Sequence, residues 1–124
     1  MNIRKPITIA LTLLALAATA DAATLFTPPL SHQVWFGTEV SCRLVNVADR
    51  PTKVRIQSIN RNGNVDNDSG AILVQPHEIV QVRTEGSGRS YCRFDVMGNP
   101  DRVRASACKF DFIQDRCRGT LHAE

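Results

Sequence analysis

The sequence predicts an all-β domain, a small antiparallel β-sandwich stabilised by two disulfides. Three observations predict it. Apolar and polar residues alternate in short runs, punctuated by turn residues at intervals of roughly 8–12. No window carries the i, i+3, i+4, i+7 spacing of a helix. Four cysteines, Cys42, Cys92, Cys108 and Cys117, follow a segment with the features of an export signal. A closed β-barrel is the alternative arrangement of the same strands.

The elements can be justified in chain order, beginning with the signal. MNIRKP places Arg4 and Lys5 ahead of the apolar run ITIALTLLALAATA. Ala20-Asp21-Ala22 then supplies small residues at both recognition positions of a cleavage site. The run is shorter than the roughly 20 residues a membrane span needs. Residues 1–22 are therefore expected to be a cleaved signal peptide, and 23–124 a single domain without a transmembrane segment. The expected location is periplasmic or extracellular, with a signal of bacterial type. Cleavage removes Arg4, Lys5 and Asp21 and lowers the formal charge from +3 to +2. So small a balance, with the arginines scattered rather than in a run, argues against nucleic acid as a partner.

Pro28 and Pro29 make residues 23–30 an edge or entry segment, because proline donates nothing to a ladder. HQVWF, 32–36, reads as a short strand. In 39–47 Val40, Cys42 and Leu44 share one face, with Ser41 and Arg43 opposite. In 52–60 Val54 and Ile56 oppose Lys53, Arg55 and Gln57. Asn62-Gly63 is a tight-turn dipeptide, and VDNDSG is expected to continue it as a polar loop. AILVQ, 71–75, reads as a mostly apolar strand, broken by Pro76 and His77. EIVQVRT, 78–84, is the next, followed by a loop at GSG, 86–88. In 91–97 Cys92, Phe94 and Val96 alternate with Arg93 and Asp95. Asn99-Pro100-Asp101 turns the chain into a last strand pair, 102–112 and 116–122.

This alternation puts Cys42 with Val40 and Leu44, Cys92 with Phe94 and Val96, Cys108 with Phe110 and Phe112, and Cys117 with Leu121. All four cysteines are thereby expected to point into the core, where an exported domain oxidises them. Four cysteines allow three pairings. Cys42–Cys92 with Cys108–Cys117 is preferred, and Cys42–Cys117 with Cys92–Cys108 is the competitor. The separation of Cys42 and Cys92 resembles that of immunoglobulin-type domains, which implies an immunoglobulin-like sandwich. The only tryptophan, Trp35, precedes the first cysteine, and Tyr91 stands one residue before the second. The resemblance is therefore one of architecture and not of membership.

Several constellations bear on chemistry. Cys117-Arg-Gly-Thr-Leu-His122 resembles the C-terminal Cys-x4-His of cupredoxins, which implies a copper carrier using Cys117, His122 and a second histidine such as His77 or His32. No methionine follows His122, and the site would need Cys117 as a free thiolate, so no metal or other cofactor is expected. NGNVDNDSG gathers oxygen donors, but no frame through it supplies the aspartates, glycine and glutamate of an EF-hand. No nucleophile elbow, His-Glu-x-x-His motif or paired carboxylate appears, so no catalytic residue is assigned. A small secreted hydrolase stays an alternative without a substrate. Arginines crowd the last third of the chain. Arg93, Arg116 and Arg118 are the candidates for an outward binding face, toward another exported protein or an anionic surface ligand. The sequence thus reads as an exported binding or structural accessory module.

Overall fold

The structure, a computed structural model, describes residues 22–32, 37–84 and 88–124. The signal segment up to residue 21, the 33–36 part of the HQVWF strand with Trp35, and 85–87 of the GSG loop lie outside the described residues.

Nine strands and one 3₁₀ turn make up the described chain. They are β1 Ala22–Phe26, β2 Leu30–His32, β3 Thr38–Asn46, β4 Thr52–Asn60, β5 Val65–Val74, β6 Ile79–Arg83, β7 Gly88–Met97, the turn Pro100–Arg102, β8 Val103–Asp111 and β9 Arg116–His122. They form two antiparallel sheets packed as a sandwich. Sheet A runs β1-β7-β4-β5, with β2 also on β7, and sheet B runs β6-β3-β8-β9. The barrel alternative is set aside. Phe26 and Glu124 exchange both backbone hydrogen bonds, at 2.9 and 3.0 Å, so the sheets touch at one corner without closing.

Local chemistry explains the breaks. β1 and β2 are one edge strand along β7, interrupted where Pro28 and Pro29 offer no N–H. Thr27 holds the interruption, exchanging hydrogen bonds with the backbone of Cys92 through its own N–H and Oγ1. Asn99 caps the 3₁₀ turn by accepting from the Asp101 N–H at 2.9 Å, with Pro100 in the first position.

VDNDSG corrects the expectation of a loop: it opens the ten-residue strand β5. Two register shifts against β4 absorb its polar residues. Opposite Ile56, Ser69 and Gly70 stand where one residue would, and Gly70 takes a positive φ of 65° that a side chain resists. Sequence alternation fails there because each bulge reverses the face.

The core lies between the sheets. Phe94, Leu44, Ile56, Val40, Val54, Val74 and Val96 are all below 2 % exposed. Burying a side chain the size of Phe94 contributes about 2–3 kcal/mol. Asn46 is fully buried at the end of β3 and is satisfied on every side. Its Nδ2 donates to the carbonyls of Arg50 (2.8 Å) and Val74 (3.0 Å), and its Oδ1 accepts from the Ala48 N–H.

Cys42 is bonded to Cys92, linking β3 of sheet B to β7 of sheet A through the core, with Cα atoms 5.6 Å apart. Cys108 is bonded to Cys117, linking β8 to β9 within sheet B. The expectation that all four cysteines face inward is corrected for this second pair. Cys108 stands opposite Ser41, on the face away from Cys42, while Ala105 and Ala107 hold the inward side of β8. In β9, Lys109 pairs with Gly119 but Phe110 pairs with Cys117. Arg118 is therefore the extra residue of a bulge, and Cys117 and Leu121 fall on opposite faces. Alternation correctly put Cys108 and Phe110 on one face, and that face is the outer one. The sandwich instead seats small alanines on the inward side and keeps Phe110 dry on the outside.

Candidate binding face

The structure separates the three arginines proposed as one face. Arg93 lies on the outer side of sheet A, between Phe26 of β1 and Gln57 of β4. Arg116 and Arg118 lie in β9, the edge of sheet B. Arg93 is also spoken for. Its Nε is 3.3 Å from Asp95 Oδ1 and its guanidinium lies 5.9 Å from the Phe26 ring centroid. Arg118 pairs with Asp111 at 2.9 Å and donates to Gln114. The N–H groups of Gln114 and Ile113, with Arg118, hold the Asp111 carboxyl below its ordinary range. Only Arg116, of these three, lacks a carboxylate partner among the described residues.

The polar tract of β5 is similarly committed. Asp68 accepts a two-pronged contact from Arg55 and further bonds from Gln57 Nε2 and the Gly70 N–H. The Arg55 hydrogen bonds, then those of Gln57 and Gly70, hold its carboxyl far below the usual range. Asn67 Nδ2 reaches the Arg83 carbonyl at 3.1 Å and Asn60 Nδ2 reaches Asp66 Oδ1 at 3.1 Å. The Asp68 and Asn60 groups are thus spent on the β4–β5 hairpin, and Asn67 ties β5 to β6 of the other sheet. The copper donors are not assembled either. The Cys117 sulfur is bonded to Cys108. His77 sits in the turn before β6, with φ 64°, and His122 ends β9. β6 and β9 are opposite edges of sheet B, about 14 Å apart at the usual strand spacing. His32 lies in β2, in sheet A. Among the described residues no group of three potential ligands could hold a metal.

The outer side of sheet B carries a different cluster. Successive rows across its strands read Glu39–Phe110–Cys117, then Arg83–Ser41–Cys108–Thr120, then Gln81–Arg43–Ser106–His122, then Ile79–Val45–Arg104. Phe110 is only 5 % exposed despite facing outward. The guanidiniums of Arg83 and Arg43 cover it, their Cζ atoms 4.8 and 5.4 Å from the ring centroid. Arg83 Nε lies 3.2 Å from Glu39 Oε1, in ion contact without hydrogen-bond alignment. Arg43 Nε donates to Ser41 Oγ at 3.4 Å, and Ser41 Oγ to Gln81 Oε1 at 3.3 Å. Beyond them Val45 and Ile79 floor a shallow groove of about 230 Å³, rimmed by Arg43, Arg104, Ser106 and His122. Ile79 is 70 % exposed. Arg104 donates only to the carbonyls of Asp101 and Val103. Among the described residues these rows thus hold three arginines and one carboxylate. Chain order could not reveal this face. It needs β3 to pair with β6 on one side and β8 on the other, although the outward place of Arg43 beside Cys42 was a readable hint.

No protein-family model matches the chain, and no curated protein matches it. In architecture it is similar to the crystal structure of Thermotoga maritima 1070. That likeness has a TM-score of 0.54 at 12% identity and covers 82% of this chain and 91% of the other. It bears on the fold alone. The class is thus a disulfide-bonded antiparallel β-sandwich, and its two disulfides point to an oxidising location.

Proposed function

We propose that this chain is an exported binding or structural accessory module of the cell envelope or extracellular space, acting without catalysis. The observation that carries the reading is the outer side of sheet B. There Arg43, Arg83 and Arg104 share one side of the sheet, beside an apolar groove, with Glu39 as the one carboxylate in those rows among the described residues and Arg83 in contact with it. Unbalanced cations on a rigid sheet favour an anionic partner and steer it in. The two disulfides and the signal-like N-terminus support export, periplasmic in a bacterial cell. The copper alternative loses its support with the Cys117 thiolate. Expression of the full chain in a Gram-negative host tests the reading. The expected product begins at Ala23, leaves the cell on osmotic shock, and shows no reactive thiol under denaturing, non-reducing conditions. An unprocessed chain with three or four free thiols refutes it.

A further inference from the structure

The geometry points to a specific ligand class for this face: a phosphate monoester carried on a short aliphatic group, its head held between Arg43 and Arg83 and its tail on Val45 and Ile79. The inference rests on the reading of the chain as a binding module and names what that module takes. Phe110 is the platform. The Cζ atoms of both arginines lie near this one ring, 5.4 and 4.8 Å from its centroid, before any ligand arrives. Arg43 Nε donates to Ser41 Oγ, and Arg83 Nε lies in ion contact with Glu39 Oε1. The terminal nitrogens of both forks have no partner among the described residues. The Gln81 side chain lies beside Arg43 in the next row, with its amide nitrogen uncommitted once its oxygen accepts from Ser41.

Two forks and an amide donor match the three terminal oxygens of a phosphate better than the two of a carboxylate. The charge matches too, two cations against one carboxylate leaving room for an anion. The Ile79–Val45 row lies four residues along the strands from the Arg83–Ser41 row, about 13 Å at strand rise. Arg43 spans the gap, lining the groove while its head lies over Phe110. At about 230 Å³ the groove is smaller than pockets for drug-sized molecules and fits a short chain.

Calorimetric titration of the oxidised protein with inorganic phosphate, hexyl phosphate, hexanoate and hexanol in chloride buffer tests the assignment. The expected order is hexyl phosphate tightest, inorganic phosphate and hexanoate each about tenfold weaker or more, and no saturable binding of hexanol. Arg43→Gln and Arg83→Gln should each weaken hexyl phosphate about tenfold. Ile79→Ser, at a site 70 % exposed and safe for folding, should bring hexyl phosphate down to inorganic phosphate and leave the latter unchanged. Equal affinity for the two phosphates, saturable hexanol binding, or unchanged affinity in Arg43→Gln overturns the proposal. So does the absence of saturable phosphate binding. If the protein is processed and thiol-free but the titration fails, the ligand class falls and the exported-module reading stands. An unprocessed, thiol-bearing chain removes that reading whatever the titration gives.

Discussion

The two disulfides differ in place, and the difference predicts unequal effects on stability. Consider paired alanine replacements, Cys42→Ala with Cys92→Ala against Cys108→Ala with Cys117→Ala. Chain entropy alone favours the longer loop. A separation of 50 residues corresponds to about 4 kcal/mol, and one of 9 to about 2.7 kcal/mol. Packing widens the gap. Cys42 and Cys92 are both 0 % exposed in the core, so losing each sulfur costs about 1 kcal/mol more. In the outer pair Cys108 is also buried, at 1 % exposed, and carries the same cost, but Cys117 is only half-buried, where solvent fills what alanine vacates. The expected losses are about 6 kcal/mol for the core pair and about 4 for the outer pair. Domains of this size are stable by roughly 5–15 kcal/mol. The outer variant should therefore fold cooperatively, and the core variant should sit near the edge of folding. Urea unfolding followed by circular dichroism reads both, through free energies extrapolated to water. Midpoints alone mislead, because the uncrosslinked denatured chain expands and raises m. Equal losses, or a larger loss for the outer pair, would refute the placement of one bridge in the core and the other outside.

Other outcomes follow from single residues. Asn46→Leu strands the buried Val74 carbonyl and removes the partner of the part-buried Arg50 carbonyl and Ala48 N–H, with about 1–3 kcal/mol for the buried group and less for the others; chemical denaturation should show a loss of about 2–3 kcal/mol, and a neutral result would mean the site is wet. Asp68 has a depressed folded pKa, so its contribution is present above the unfolded value of about 4 and is lost as pH falls below it. Urea midpoints should accordingly drop less between about pH 6 and pH 3 in Asp68→Asn than in wild type, and parallel slopes would contradict the Arg55 pairing. Gly37 has φ 76°, and an added Cβ would meet the Ile113 side chain. Gly37→Ala should cost about 1–2 kcal/mol from the backbone, and adding Ile113→Ala should recover little of it in thermal melts, since Ile113 is exposed and free to move.

How much of this was legible follows from which forces are local. Alternation in β3, β4 and β7 is local, and it placed Val40, Leu44, Val54, Ile56, Phe94 and Val96 in the core. Cys42 and Cys92 inherited their inward place from those neighbours. Where a bulge intervenes the same logic inverts. Arg118 shifts Cys117 to the outer face, and the double register shift in β5 turns an apparent loop into strand. Nothing in a short window marks those insertions. The binding face failed for another reason. Arg93, Arg116 and Arg118 are near in sequence, but β7 and β9 belong to different sheets. Arg43, Arg83 and Phe110 converge only through pairing across 40 or more residues, as the Ser41–Gln81 bond shows. The contact that keeps Phe110 dry likewise depends on β3 and on β6 beyond it, which come alongside β8 only in the finished sheet.

The connectivity of the two bridges has a consequence for how the chain is made. Numbered from the N-terminus, the first cysteine joins the second and the third joins the fourth. A chain oxidised while it threads through a membrane presents Cys42, then Cys92, before Cys108 appears. An oxidase that joins thiols in their order of emergence therefore writes the native pattern directly, and no reshuffling is required. Production in a host that has a thiol oxidase but lacks a disulfide isomerase should give the correctly bridged protein in full yield.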